Sequence, residues 1–282
     1  SLTSIICKIL EKIIREKWVD YLERNKLISD KQFGFRSKRS CVANLLSFYD
    51  RVTEVLQERE GWVDCVYLDL KKAFDKVPHG RLKWKLRARG GIGGRLLKWM
   101  EDFLEGRKMR RVVRGEKSSW RDVTSGVPQG SVLAPIMFIV YINDLSEGVT
   151  SYMNMFADDA KLQRRITDEE SVKALQSDLD RIHCWSHKWQ MEFNSSKCSV
   201  IHMGESQKRE MGTYKLGENE LQKAEKEKDL GITITKYLEP GEHIANVLKK
   251  AYAWWANAKM AFNYMDWDMA KILITQHIRP KL

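Results

Sequence analysis

Residues 151–162 read SYMNMFADDAKL, and the fold turns on how they are read. Apolar Met153, Met155, Phe156 and Ala157 run straight into Asp158 and Asp159 with no turn residue between them. Adjacent carboxylates repel, and burying one is costly unless something compensates it. A run that looks like core therefore ends on two acids in need of a positive partner. A second stretch has the same form. WVDCVYLDL (62–70) is rich in β-branched and aromatic residues, reads as a strand and ends near Asp69. If 151–162 folds as a tight hairpin beside that strand, Asp69 and Asp158 face one another with Asp159 close behind. Two-metal phosphoryl-transfer sites need such carboxylates around divalent cations about 3.5–4 Å apart. Two or three aspartates suffice for magnesium, because substrate phosphates complete its shell, and the ions reverse the repulsion. Taken alone, the Asp pair also fits a turn cap and Asp69 a plain strand end.

The chain has 282 residues, enough for one large domain or two to three subdomains. Its 43% hydrophobic and 31% charged residues are those of a soluble globular protein. No apolar run approaches bilayer length and no signal peptide opens the chain, so no membrane partner is expected. Cys7, Cys41, Cys65, Cys184 and Cys198 are scattered, without C-x-x-C spacing. They point to reduced thiols in an intracellular setting, and against a zinc site or disulfide framework. The net charge of +11 favours a polyanionic partner, nucleic acid first. Ten tryptophans fit base stacking, and equally fit a core.

Along the chain, Ile5, Ile6, Ile9, Leu10, Ile13, Ile14 and Trp18 recur at helical spacing in the first segment. A second helix is expected after Ser40, and a helical stretch over about 79–104 carries Gly90, Gly91, Gly93 and Gly94 as breakers. GRKMRRVVRGEKSSW (106–120) reads as a hairpin turning at Gly115. SGVPQGSVLAPIMFIVYINDL (125–145) reads as a turn followed by an apolar helix. A long amphipathic helix is expected from Val172 to Trp189, strands at CSVIHMG (198–204) and KDLGITI (228–234), and a basic helical region from about 242. Strands and helices intermix, which predicts an α+β fold with an antiparallel sheet.

Three further stretches bear on the acids. In LDLKKAFDKVPHG (68–80), Phe74 follows Asp69 closely enough for its ring to lie under a nucleotide's sugar. A bulky ring there leaves no room for a 2′-hydroxyl, the group that separates ribose from deoxyribose. Asp75 reads as a hydrogen-bonding brace or, less simply, as an outlying ligand of the site, and His79 as structural rather than catalytic. In SGVPQGS (125–131), Gly126, Pro128 and Gly130 force an irregular backbone from which Gln129 projects, with glycines that let a substrate approach the main chain. In EFNSSKCSVIHMG (192–204), Lys197 precedes a strand, and a lysine near a departing pyrophosphate neutralises charge or supplies a proton. Singly, each has a plainer reading: a packing ring, a bare turn and a solvated lysine.

In this order the pieces resemble the reverse transcriptases of non-LTR (LINE-type, jockey-like) retrotransposons. VYLDLKKAFDKV (66–77), TSGVPQGSVLAP (124–135) and MFADDAKL (155–162) are similar to the family's first three catalytic motifs. MEFNSSKCSVIHMG (191–204) resembles the fourth, EKEKDLGITI (225–234) the segment at the primer grip, and KQFGFRSKRSCVANLL (31–46) a fingers motif. The likeness runs from residue 1 to about 235. It implies a right-hand polymerase with fingers, a palm whose antiparallel sheet is flanked by helices, and a partial thumb. Expected boundaries are 1–60 for partial fingers, 61–235 for the palm with fingers elements inserted at about 80–125, and 236–282 for the thumb. The opening at residue 1 suggests a chain truncated at its amino terminus. The resemblance also implies an RNA-directed DNA polymerase that adds dNTPs to a DNA primer on an RNA template. Asp69, Asp158 and Asp159 would hold two Mg2+ ions, with Mn2+ as a substitute. Phe74 would be the sugar gate, Gln129 and Gly130 the dNTP contacts and Lys197 the acid, in a ribonucleoprotein of nucleus or cytoplasm. Ala134 and Ala160 depart from the family's usual Gly and Thr, Ala134 where a close backbone approach would be strained. The alternatives are a catalytically inactive nucleic-acid-binding remnant and, more remotely, a two-metal nuclease.

Overall fold

The computed structural model describes residues 4–58, 61–204, 212–262 and 264–281. The chain forms two compact units, 1–223 and 224–282. In the first, helix α1 (Ile5–Arg24) starts where the Ser4 side chain accepts from the Cys7 amide, and α2 (Cys41–Leu56) where Ser40 does the same for Ala43. Strand β1 (Val63–Leu68) follows, then the single turn α3 (Ala73–Lys76), α4 (His79–Ala88) and α5 (Gly94–Leu104). The expected break between α4 and α5 falls at the glycines. Two nested ladders come next: β2 (Lys108–Met109) pairs with β5 (Arg121–Asp122), and β3 (Val112–Val113) with β4 (Glu116–Lys117), turning at Gly115.

Helix α6 (Ala134–Ile142) is apolar on every side and buried at every residue but Pro135, the pattern of a helix inside a core. Strands β6 (Tyr152–Phe156) and β7 (Asp159–Arg165) form the hairpin that the opening stretch predicts. Helix α7 (Glu169–Trp189) begins with a capping box at Asp168 and Ser171, and β8 (Ser199–Met203) follows it. The short β9 (Lys215–Leu216), β10 (Asn219–Glu220) and β11 (Gln222–Lys223) complete the unit.

The main sheet has the order β11-β8-β1-β7-β6. β1 is central and antiparallel to both neighbours, with Leu68 opposite Ala160 and Asp64 opposite His202. The β11–β8 pairing, at the edge, is parallel. Alternation places Val66 and Leu68 in one core cluster with α6 and α7. On the opposite face, the Tyr67 ring lies 6.3 Å from Phe48 of α2. Helices thus cover both faces.

Buried polar contacts tie these helices together. Glu11 of α1 is fully buried and accepts from the Val132 and Leu133 amides at 2.6 and 3.2 Å, at the start of α6. Those amides lack intrahelical partners, so a carboxylate there satisfies them. Trp18 Nε1 donates to the Gly90 carbonyl at 2.8 Å. Lys85 of α4 is buried against Asp144 and the Tyr141 carbonyl, with its ammonium 3.6 Å from the Trp189 ring centre. Burial draws its pKa down to about 8 even though Asp144 opposes the shift.

In the second unit, β12 (Lys226–Asp229) and β13 (Ile232–Thr235) form a hairpin ahead of α8 (Gly241–Ala261) and α9 (Trp267–Leu273). The single strand expected over 228–234 is therefore two. Leu230 at φ 46° and Gly231 at φ 95° make a left-handed two-residue turn, the geometry that closes hairpins. Among the described residues, no helix is long and apolar enough to cross a membrane.

Candidate active site

Asp69, Asp158 and Lys197 meet at one end of the sheet. The β6–β7 turn consists of Ala157 and Asp158, with Phe156 opposite Asp159, and β7 lies directly beside β1. Past β1 the chain keeps pairing: Leu70 bridges Phe193, the Lys71 amide donates to the Glu192 carbonyl, and the Asn194 amide donates to Asp69 O, both at 2.8 Å. The chain then turns, the Lys197 amide donating to Asn194 O at 2.9 Å, and Lys197 Nζ comes within 3.4 Å of Asp69 Oδ2. Burial raises the Asp158 carboxyl above the ordinary carboxylate range. A backbone hydrogen bond opposes that rise, the Asp69 charge adds to it and Lys197 opposes it. Two acids and one lysine leave this corner short of positive charge.

Asp159 opens β7 and is exposed. Among the described residues, no group of three or more His, Cys, Asp or Glu side chains stands ready to hold a metal ion. The Asp69–Asp158 pair nevertheless suits a hard divalent cation, which takes few protein oxygens and fills its shell with water and phosphate.

A second loop is sewn to the segment after Asp69. The Val127 amide donates to Phe74 O and the Gly126 amide to Val77 O, both at 2.8 Å, while Ser125 Oγ donates to Asp75 O at 2.9 Å. His79 Nε2 lies 2.8 Å from Gly126 O. Gly126 has φ 89°, and a Cβ there would stand 2.8 Å from Asp75 O, so two requirements select glycine. Gln129 is exposed, and its amide donates to Asp75 Oδ1 at 3.0 Å; Gly130 beside it has φ 85°. The Phe74 ring stacks on Phe138 of α6 at 4.3 Å and 20°. Ala134 opens α6 in helical backbone, its amide donating to Ser131 Oγ at 3.0 Å.

Three residues that the sequence reading did not single out carry buried polar contacts of this unit. Glu11 caps the helix on which Phe74 stacks. Asp64, at the far end of β1, is a buried hub of hydrogen bonds. Gln32 belongs to a segment lying along β6, where the Phe33 amide donates to Met155 O and the Met155 amide to Lys31 O, both at 2.8 Å. Arg36 fixes that segment by a fork on Glu23 at 2.8 and 2.6 Å and a bond to Ser29 O at 2.8 Å. The one local signal was Gly34, which packs on the Ala157 backbone.

A helix-flanked antiparallel sheet, with acids at a hairpin turn and at the end of the adjoining strand, defines the palm of a right-hand polymerase. Solved structures agree. Apo telomerase from Candida tropicalis, truncated from its C-terminal domain, superposes with a TM-score of 0.54 at 12% identity, covering 83% of this chain and 45% of that one. Telomerase from Candida albicans, in complex with a fragment of telomeric RNA, gives 0.53 at 12% over 88% and 43%. At that identity the likeness concerns the fold alone. The chain belongs to the reverse transcriptase (RNA-dependent DNA polymerase) family, whose model matches residues 1–234, and it is jockey-like. It is 31% identical over 210 residues to the RNA-directed DNA polymerase from mobile element jockey of Drosophila funebris, covering 71% of this chain and 23% of that protein. It is 26% identical over 270 residues to the probable RNA-directed DNA polymerase from transposon X-element of Drosophila melanogaster, covering 94% and 29%. The chain thus spans about a quarter of the length of these relatives.

Proposed function

We propose that this chain carries the polymerising centre of a retrotransposon reverse transcriptase, adding dNTPs to the 3′-end of a DNA primer on an RNA template. The observation that carries the reading is the meeting of Asp69, Asp158 and Lys197, brought from distant segments to one sheet end, in a chain that matches the family over residues 1–234. Asp69, Asp158 and Asp159 would hold two divalent ions, Mg2+ or Mn2+. Bound there, the metal supplies charge neutralisation at the phosphates and a more acidic primer hydroxyl.

The chain's own side chains do the rest. Lys197, beside Asp69, gives a proton to the departing pyrophosphate. Phe74, fixed by its stack on Phe138, excludes a 2′-hydroxyl. Gln129, oriented by Asp75, and Gly130 meet the incoming nucleotide. Residues 1–60 with about 80–125 serve as fingers, 61–235 as palm and 236–282 as thumb. The basic surface follows the template–primer backbone, and the assembly works as a ribonucleoprotein in nucleus or cytoplasm.

The deciding experiment is primer extension by the purified chain on matched RNA and DNA templates, with and without Asp158→Ala. Extension on RNA that D158A abolishes, while duplex binding persists, supports the reading. Failure to extend with binding intact sinks it in favour of a nucleic-acid-binding remnant. That second reading has one observation behind it: Asp159 is not gathered with Asp69 and Asp158 into a three-acid group.

A further inference from the structure

The turn that presents Asp158 is gripped from outside its hairpin. Ala157 sits at φ 54°, a left-handed backbone that a Cβ disfavours. The turn's own sequence supplies no glycine to relieve it. Gln32 is only 1% exposed. Its Oε1 accepts from the Ala157 amide at 2.9 Å and from the Gly34 amide at 2.7 Å, and its Nε2 points at the Ala157 carbonyl at 3.5 Å. One side-chain amide thus addresses both backbone polar groups of one strained residue. Gln32 is itself fixed: its backbone bridges Met155, and Arg36 reaches its carbonyl at 3.4 Å. A Cβ on Gly34 would stand 2.5 Å from the Ala157 nitrogen, so the close approach depends on that glycine as well.

We infer that Gln32 is a positioning residue for Asp158. By holding Ala157 left-handed, its amide sets the direction in which the chain leaves the turn, and so where the next carboxylate stands. Rotation about the Ala157 backbone would swing Asp158 away from Asp69, and small displacements of a reacting group cost rate steeply. The kinetic part of the inference rests on the polymerase reading above; the structural part does not.

Two variants test it. Gln32→Met keeps the side-chain volume and removes the amide. Combining it with Ala157→Gly adds a residue that adopts positive φ unaided. In Q32M, hydrogen exchange at the Ala157 and Gly34 amides accelerates about tenfold, while amides of β1 and α7 keep their wild-type rates. Primer-extension kcat falls about ten- to hundredfold, with the KM for dNTP within about twofold of wild type, and the double variant recovers most of the loss. Unchanged exchange at Ala157 in Q32M overturns the assignment, and so does a double variant no faster than Q32M. If Q32M also loses protection across β1 and α7, Gln32 holds the fold rather than the turn, and the assignment falls. A wild-type chain that extends no primer overturns the polymerase reading instead and leaves the exchange rates to decide the role of Gln32.

Discussion

Asp64 lies near the start of β1 and Asp69 just past its end, two copies of one side chain in opposite circumstances. Asp64 is 1% exposed and saturated: Trp62 Nε1 donates to Oδ1 at 2.7 Å, His202 Nδ1 lies 2.7 Å from the same oxygen, and the Tyr214 hydroxyl donates to Oδ2 at 2.5 Å. Burial, then the Asp64 charge, pushes the Tyr214 phenol far above its ordinary pKa, so it stays a donor. Asp69 has a third of its side chain exposed, one lysine at 3.4 Å, and a second acid whose ionisation it opposes. A carboxylate that serves the fold draws its donors from the chain. A carboxylate left short of donors, beside another acid, is arranged for something the chain does not itself provide.

The largest expected effect tests that contrast at the open end. Asp69→Ala lowers primer extension by about a thousandfold or more and shifts unfolding stability by less than about 1 kcal/mol. A large loss of stability would make Asp69 a second Asp64. Asp64→Ala does the opposite. It strands buried donors and costs about 3–5 kcal/mol in urea unfolding, while the folded fraction keeps its kcat. Loss of kcat at wild-type stability would erase the distinction.

Asp178 of α7 sharpens the comparison through pH. Burial alone would raise its pKa, as it does at Asp158, but hydrogen bonds from Ser151 and Thr150 outweigh burial and leave it lowered. Its folded value thus lies below its unfolded one. The stabilisation is complete above the unfolded pKa of about 4 and fades as pH falls through the folded value. Asp178→Asn costs about 2 kcal/mol near neutrality, and the gap from wild type narrows in acid. A gap constant with pH would place the effect in packing. The smallest effect is at Phe74, where Phe74→Ala lowers the dNTP-over-rNTP preference about tenfold. An unchanged ratio would remove Phe74 from the sugar site.

The elements were largely legible because their patterns are local. Helical spacing marks α1 and α7, and the apolar runs ending in acid mark β1 and the β6–β7 hairpin. The Leu230–Gly231 turn was missed because KDLGITI reads as one strand unless Leu230 is known to turn left-handed. The convergence of Asp69 and Asp158 was legible for the same reason as the hairpin: each acid closes an apolar run. Nothing in VDCVYLDL separates Asp64 from Asp69, since two of the three partners that saturate Asp64 lie far along the chain, at residues 202 and 214. Gln32 and Glu11 were silent too, because a side chain that serves a distant backbone leaves no periodicity behind.

Glu11 carries a consequence for anyone trimming the protein. The face of α1 that holds Ile5, Ile6, Ile9 and Ile13 is open to solvent, and by that measure the first turns look dispensable. A protease cut or a deletion boundary after residue 11 would nonetheless uncap a helix deep inside the first unit, the one whose Phe138 lies under Phe74. The damage would appear at the Phe74–Phe138 stack, far along the chain from the severed bond.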